Sequence, residues 1–403
     1  MTILVINAGS SSLKFGLFDA EGFGELSSGI VDWRADARKA ELTVVTGGSR
    51  ESFIVEVPGY GSAFGHVQRI LGENGFVAED IRAVGHRVVH GGVEFRSSVI
   101  IDDRVIESIR QLSDLAPLHN PPALMAMEAA RKELPGVPHV SVFDTAFFRD
   151  LPLKDIVYPL PYEWFEKWGI RRFGFHGISH EYCALRAAEL LLADVSGLSA
   201  ITLHLGNGCS ATAVLGGRPV ATTMGFTPLE GMMMGTRPGS VDPGILIYVM
   251  KEKGLSVKGL HEALNHGSGL LGVSGVSSDF RKVEEAAARG EARARLALDI
   301  YADRIRSAVG SLAAVMGGVD ALVFTAGVGE NSASLRAMVC DGLSFMGLEL
   351  DNMLNEKSRP DAVVSKEKSP VKVLTIKTRE ALFIAQETAR AISGHRELPG
   401  ETF

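Results

Sequence analysis

The sequence predicts an α/β protein built by duplication. Three observations carry that expectation. The chain has 403 residues, more than one ordinary hydrophobic core organises, so two domains are expected. Short apolar runs of strand length alternate with longer helical stretches. A strand–turn–strand pattern near the start returns about 200 residues later.

The first pattern opens on Ile3-Leu4-Val5-Ile6, passes through a glycine and serine turn, and continues through residues 13–18 to Asp19-Ala20-Glu21-Gly22. Apolar runs flanking a tight polar turn predict a β-hairpin. The second runs from Ala200-Ile201-Thr202-Leu203 through Gly206-Asn207-Gly208-Cys209-Ser210 to residues 211–215 and Gly216-Gly217. The two turns are expected to face a common cleft, with small residues and amides where a polyphosphate would lie. Residues 84–89 and 137–143 read as buried strands. Residues 123–134 read as a helix started by Pro121 and Pro122. Residues 283–316 hold one or two helices broken near Gly290, residues 321–325 a strand ending in a glycine turn, and residues 380–392 a closing helix.

Composition narrows the function. With 46% hydrophobic and 22% charged residues the chain is of the soluble globular kind. No stretch approaches the roughly 18 uncharged apolar residues that span a bilayer. The start, MTILVINAGSSSLKF, lacks the basic and long apolar regions of a secretory signal. Cys183, Cys209 and Cys340 are scattered and form neither a disulfide framework nor a zinc cluster, which suits a reducing cytoplasm. A net charge of −7 with interspersed signs argues against a nucleic-acid partner. An acidic protein must bind anions with locally placed cations and amides, which directs attention to single arginines.

Each motif has a plainer alternative. In Asn7-Ala8-Gly9-Ser10-Ser11-Ser12-Leu13-Lys14 the small residues let amides approach phosphate and the lysine supplies charge; the alternative is an ordinary turn. It is not a P-loop, since Gly-Lys occurs nowhere in the chain. Gly206 to Ala211 satisfies G-x-G-x-x-A, but Gly216-Gly217 follows too soon for the helix a dinucleotide fold requires. A phosphate-binding hairpin is the better reading, with His204 placed to reach the site.

In Gly85-His86-Arg87-Val88-Val89-His90-Gly91-Gly92, Arg87 and Val89 share one side of a strand. That pairing suits an anionic head with an aliphatic tail; a structural ion pair is the alternative. His176 and His180 stand four apart, yet no third metal ligand accompanies them. His176, between Phe175 and Gly177, is the better ligand-facing candidate. Arg237 lies among glycines and a proline after a methionine run read as packing. Asp144 ends a buried strand, either as an active-site carboxylate or as a helix cap. Glu380 starts the last helix, where it also offsets the helix dipole.

Together these segments resemble the acetate kinase family over nearly the whole chain. NAGSSSLKF, GHRVVHGG, APLHNPP, VFDTAF, FGFHG, HLGNG, GFTPLEG, MMGTR, SSDFR, FTAGVGEN and TREAL stand in the family's order and approximate spacing. The resemblance implies a duplicated actin-like ATPase fold of the ribonuclease H type, as in hexokinase and Hsp70, with two domains closing on ATP. Placed from the motifs, the first domain is residues 1–146 with 381–403. The second, residues 147–380, carries most of the nucleotide site. A homodimer and a divalent cation, Mg²⁺ or Mn²⁺, are also implied.

Carried over residue by residue, the resemblance puts Asn7 and Glu380 near the metal. Ser10, Ser12 and Lys14 fall in the first phosphate turn, and His204, Leu205, Gly206, Asn207 and Gly208 in the second. Asp279, Phe280, Arg281, Gly327, Val328, Gly329, Glu330 and Asn331 match the adenosine segments. Arg87 and Arg237 match the pair gripping carboxylate and phosphoryl oxygens, His176 the stabiliser of the transferring group, and Asp144 the essential acid. Val89, Leu118, Phe175 and Pro228 match the methyl pocket, and His119 also falls within a matched motif. The chain departs from the family at Phe148, Ile178 and Ser240, where His, Thr and Asp are common.

The implied reaction is reversible transfer from ATP to acetate, giving acetyl phosphate and ADP. A carboxylate is already ionised near neutral pH, so the acceptor needs no general base; bringing two anions together is the difficulty. On this reading Asp144 orients the metal or its waters. Propionate is the rival substrate, since one methylene is worth only about 1–3 kcal/mol; Val89 favours acetate. A rival of another class is an ATP-gated binding protein on the same fold, which would leave both arginines without a task.

Overall fold

The computed structural model describes residues 1–9, 11–33 and 39–394. The chain divides into two compact units, Met1–Arg149 with Arg379–Phe403, and Asp150–Thr378.

The first unit carries strands β1 (Thr2–Gly9), β2 (Ser12–Asp19), β3 (Glu25–Asp32), β4 (Lys39–Thr46), β5 (Ser49–Glu56), β6 (Ile81–Val88), β7 (Val99–Ile100) and β8 (His139–Phe143). They form one sheet in the order β5-β4-β3-β2-β1-β6-β8-β7. The expected hairpin is β1–β2, antiparallel, with Gly9 opposite Ser12 and Asn7 opposite Lys14. Alternation sorts the side chains. Leu4, Ile6, Leu13, Phe15, Leu17 and Val84 face a core shared with the helices Tyr60–Glu73 and Asn120–Glu133. Pro121 and Pro122 lie inside the first turn of that second helix, where a missing N–H costs nothing.

The other face takes the C-terminal helix Glu380–Ser393. Gly85 is required there: a Cβ would stand 2.3 Å from Thr388 Oγ1 and 2.9 Å from Ile384. The end of the chain thus completes the first unit.

The second unit holds β9 (Ser199–Leu205), β10 (Cys209–Leu215), β11 (Arg218–Thr222), β12 (Ala321–Thr325), β13 (Ala362–Val363) and β14 (Lys372–Thr375), in the order β11-β10-β9-β12-β14-β13. One face packs Cys183, Ala187 and Ala188 of the helix Gly177–Leu191 against Ala200, Ala321, Val323 and Leu374. The other meets the long helix Ala292–Met316. The expected break near Gly290 is real: this helix follows a separate one, Phe280–Ala288.

The duplication is visible in the pairing. In the first unit β3-β2-β1 run antiparallel and β1-β6-β8 parallel. In the second, β11-β10-β9 run antiparallel and β9-β12-β14 parallel. Five strands repeat one order and one set of directions. No helix among the described residues is long and apolar enough to cross a membrane.

Candidate active site

In the second unit a polar cluster forms at the carboxyl end of β9. Residues alternate along β9, so Thr202 and His204 fall on the same face as Ala200, toward the helix Gly177–Leu191. Cross-strand partners on β10 are Thr212 for Thr202 and Ser210 for His204. The helix supplies Ser179 and His180, and its preceding residue is His176, held in the left-handed region at φ 58°. A non-glycine residue there stores backbone strain that the surrounding structure must hold.

The side chains lock together. Ser210 Oγ lies 2.8 Å from His176 Nδ1 and 2.7 Å from His180 Nε2. His180 Nδ1 is 2.7 Å from Thr202 Oγ1. His204 Nδ1 is 2.8 Å from Ser179 Oγ, and its ring stacks on His176 at 4.1 Å. Burial holds His180 neutral, its pKa well below the usual histidine value, with His204 adding to the effect. The His176–His180 spacing therefore serves a shared hydroxyl rather than a metal.

The β9–β10 turn brings Arg237 to the same place. A Cβ on Gly208 would stand 2.7 Å from Arg237 Nη2 and within 3.4 Å of His176 Cε1 and Nε2. Glycine is needed because guanidinium and imidazole close on the turn from two sides. Arg237 Nη1 donates to the Pro228 carbonyl at 2.7 Å. Burial pulls the Arg237 pKa down, only partly offset by the Cys209 thiol. Among the described residues Arg237 makes no ion pair.

Two supports of Arg237 were not legible in the sequence. Arg172 donates to the carbonyls of Thr222, Thr223 and Met224 and, at 2.8 Å, to Glu230, which also accepts from Tyr158. Together they fix the strap that carries Pro228. Ser240 bonds Gly231 through its amide at 2.8 Å and its hydroxyl at 3.1 Å, closing the loop around Arg237. The serine at this position thus supplies a loop-closing bond. Phe148 and Ile178, the other departures, are buried.

The adenosine candidates lie in the same unit. Asp279 caps the helix Phe280–Ala288, accepting from the Arg281 amide at 3.0 Å and from its guanidinium at 2.8 Å. That guanidinium holds the Asp279 carboxyl below the usual range. Gly327, Val328, Gly329, Glu330 and Asn331 form a short helix directly after β12. Buried Arg336 secures it by donating to the carbonyls of Gly329 and Glu330 and to Asn355. Glu330 accepts from the Thr378 amide at 2.8 Å, and burial raises its pKa. The side chains of Leu205 and Phe280 are core, the latter against Tyr301, so only their backbones are available to a ligand. Phe175 is buried and Pro228 half-buried.

In the first unit Arg87, on β6, grips Asp144 at the end of β8. Nε and Nη2 reach the two carboxylate oxygens at 3.1 and 2.7 Å. Glu380 follows at 4.0 Å from Nη1. Burial opposes the Arg87 charge, but Asp144 and then Glu380 outweigh it, and the net effect raises its pKa. The ion-pair alternative for Arg87 is thus present, and both Asp144 oxygens are engaged by it. Val89 is half-buried and Leu118 exposed. Asn120 ties down the loop after β6 through the amide and carbonyl of His90, and His119 immediately precedes it. Lys14 is exposed, Asn7 and Ser12 half-buried, and Ser10 lies outside the described residues. Tyr60, unnoticed in the sequence, donates to the Gly9 carbonyl at 2.5 Å, and burial pushes its pKa up to about 12.

Two units with one repeated strand order, each with a turn of small residues at the carboxyl end of its first strand, define a duplicated actin-like kinase fold. The chain belongs to the acetokinase family, whose model matches residues 2–386. It is 46% identical to the acetate kinase of Shouchella clausii over 97% of this chain and 99% of that protein. The acetate kinase structure from Porphyromonas gingivalis superposes with a TM-score of 0.90 at 42% identity, covering 97% of this chain and 99% of that one. A propionate kinase from Francisella tularensis gives 0.90 at 38% identity, covering 96% and 98%.

Proposed function

We propose that the protein transfers the γ-phosphoryl group of ATP to acetate, giving acetyl phosphate and ADP, and runs readily in reverse. The observation carrying this reading is the convergence on the Gly208 turn of His176 and of Arg237, which makes no ion pair among the described residues. A carboxylate oxygen attacks phosphorus in line, forming a new oxygen–phosphorus bond while the bond to the departing ADP oxygen breaks. No proton has to move, so the protein's work is alignment and charge neutralisation. Arg237 neutralises charge on the transferring group, His176 donates a hydrogen bond to it, and Arg87 holds the acceptor carboxylate. Asp144 accepts from Arg87 through both oxygens and so fixes that guanidinium, and the acceptor carboxylate, already ionised, needs no base from it.

In the first unit the turn carrying Ser12 and Lys14, and in the second residues 204–208, are the candidates to bind phosphate oxygens, with Ser10 carried over from the sequence motif alone. Asp279 to Arg281 and Gly327 to Asn331 receive the nucleoside. A nucleotide-borne Mg²⁺ needs only one or two protein oxygens. The Glu380 carboxylate, 20% exposed, and the half-buried Asn7 amide offer these, so the residues fit the ion. When bound, Mg²⁺ or Mn²⁺ would offset phosphate charge.

Val89 and Leu118 of the first unit, and Phe175 and Pro228 of the second, are the candidates for contact with the methyl group of the acid. The half-buried Val89 favours acetate, while the similarity to a propionate kinase keeps the longer acid as the second reading. We take the two compact units to be the functional domains. The helix Pro243–Glu252 has no buried residue and exposes Ile245, Ile247 and Tyr248 by half or more, which supports a homodimer. Three buried free cysteines suit a cytoplasmic setting.

Trapping the acyl phosphate as a hydroxamate tests the reaction. With ATP and Mg²⁺, acetate should give product with a higher kcat/KM than propionate. ADP formation indifferent to added carboxylate would refute the reading.

A further inference from the structure

We infer that Ser210, His180 and Thr202 are positioning residues that set the tautomer of His176, presenting its Nε2 as a hydrogen-bond donor at the Gly208 turn. This rests on the phosphoryl-stabilising role proposed above for His176.

The argument is a proton count along one chain of bonds. Ser210 Oγ has a single proton and two imidazole neighbours, His176 Nδ1 at 2.8 Å and His180 Nε2 at 2.7 Å. Among the described residues Ser210 Oγ meets no third acceptor for that proton, so it donates to one ring and accepts from the other. His180 is fully buried and neutral, so it too carries a single N–H. Two orientations of the chain satisfy these limits.

In the first, Thr202 donates to His180 Nδ1, His180 Nε2–H donates to Ser210, and Ser210 donates to His176 Nδ1. His176 must then carry its proton on Nε2. In the second every bond is reversed, and the Thr202 proton must go elsewhere. The available acceptor is the Thr212 carbonyl, 3.5 Å away. The first orientation instead uses only contacts of 2.7–2.8 Å. Hydrogen bonds weaken steeply with length, so the first orientation wins.

The outward nitrogen then has a use. His176 Nε2 and Arg237 Nη2 flank the same point at Gly208. A neutral imidazole donating from Nε2 beside that cation is matched to an anionic oxygen.

Nitrogen-15 NMR of the imidazoles in the full-length protein reads the tautomer directly and needs neither activity nor a variant. His176 and His180 should both show the Nε2–H form; a His176 protonated on Nδ1 would overturn the inference. Ser210→Ala should leave the His176 tautomer mixed and lower kcat about 10- to 100-fold, as supporting hydrogen-bond partners commonly do. KM values should move less than about threefold, and Ser210→Thr should restore most of the rate. A Ser210→Ala protein turning over like the wild type would also refute it. If that variant misfolds, Thr202→Val, which removes the proton at the far end of the chain, should give the same tautomer mixture. Failure of the kinase reading is seen separately, as absence of acyl phosphate from the wild type.

Discussion

Arg87 and Arg237 were matched in the sequence as a pair, yet the two units treat them oppositely. Arg87 has its charge met, with both oxygens of Asp144 within hydrogen-bond reach and Glu380 behind. Arg237 is half-buried, held by one carbonyl, and makes no ion pair among the described residues. Burying a cation without a counter-charge is expensive unless a ligand anion completes it. The first arginine is therefore a preset fixture, and the second is a cation suited to meet a ligand's negative charge.

The comparison is broken most severely by removing the preset partner. Asp144→Ala leaves Arg87 without its principal counter-ion and should cost about 3–5 kcal/mol of stability, read by denaturant titration. Arg237→Ala should instead spare stability and cut kcat by about 10²–10³-fold, the usual loss of one charge-stabilising donor. Arg237→Lys should rescue little, since an ammonium cannot reproduce the planar fork.

A smaller effect comes from the buried histidines His86, His90, His139 and His180. Burial lowers all their folded pKa values below the usual 6.5, His90 to about 4. The unfolded chain therefore binds more protons below pH 6.5. Their stabilising contribution is fully present above about 6.5 and is lost as pH falls from there toward 4. The melting temperature should decline across that window and stay level just above it. The smallest effect is expected from Asp279→Ala. It removes a helix cap worth about 1 kcal/mol and should raise the KM for ATP while leaving that for acetate unchanged.

The fold was legible where one physical rule dominated. The hairpin β1–β2, the strand Ala321–Thr325 and the closing helix follow from unbroken apolar periodicity bounded by turns. The strands β3 to β5 escaped notice because Ser27, Ser28, Glu41 and the largely exposed β5 dilute the pattern at the sheet edge. The helix Gly177–Leu191 lacks a side-chain cap and starts after a left-handed His176, so no start signal marks it.

The site was half legible. Motif order picked out Arg237, His176 and Gly208, but Ser210 stood inside a quoted motif without a task. Glu230 likewise stood in GFTPLEG without a task, and Arg172, Arg336 and Asn355 carried no local signal. Their roles arise from partners about 20 to 60 residues away, which a single sequence does not reveal.

The most direct test is the kcat of Gly208→Ala. The added methyl would stand 2.7 Å from Arg237 Nη2 and 3.3 Å from His176 Cε1, so it displaces the reacting groups while leaving the core intact. A folded variant slowed by about 100-fold, the scale of a 1 Å misplacement, is the predicted result. A folded variant at the wild-type rate would contradict the claim that guanidinium and imidazole work together at this turn.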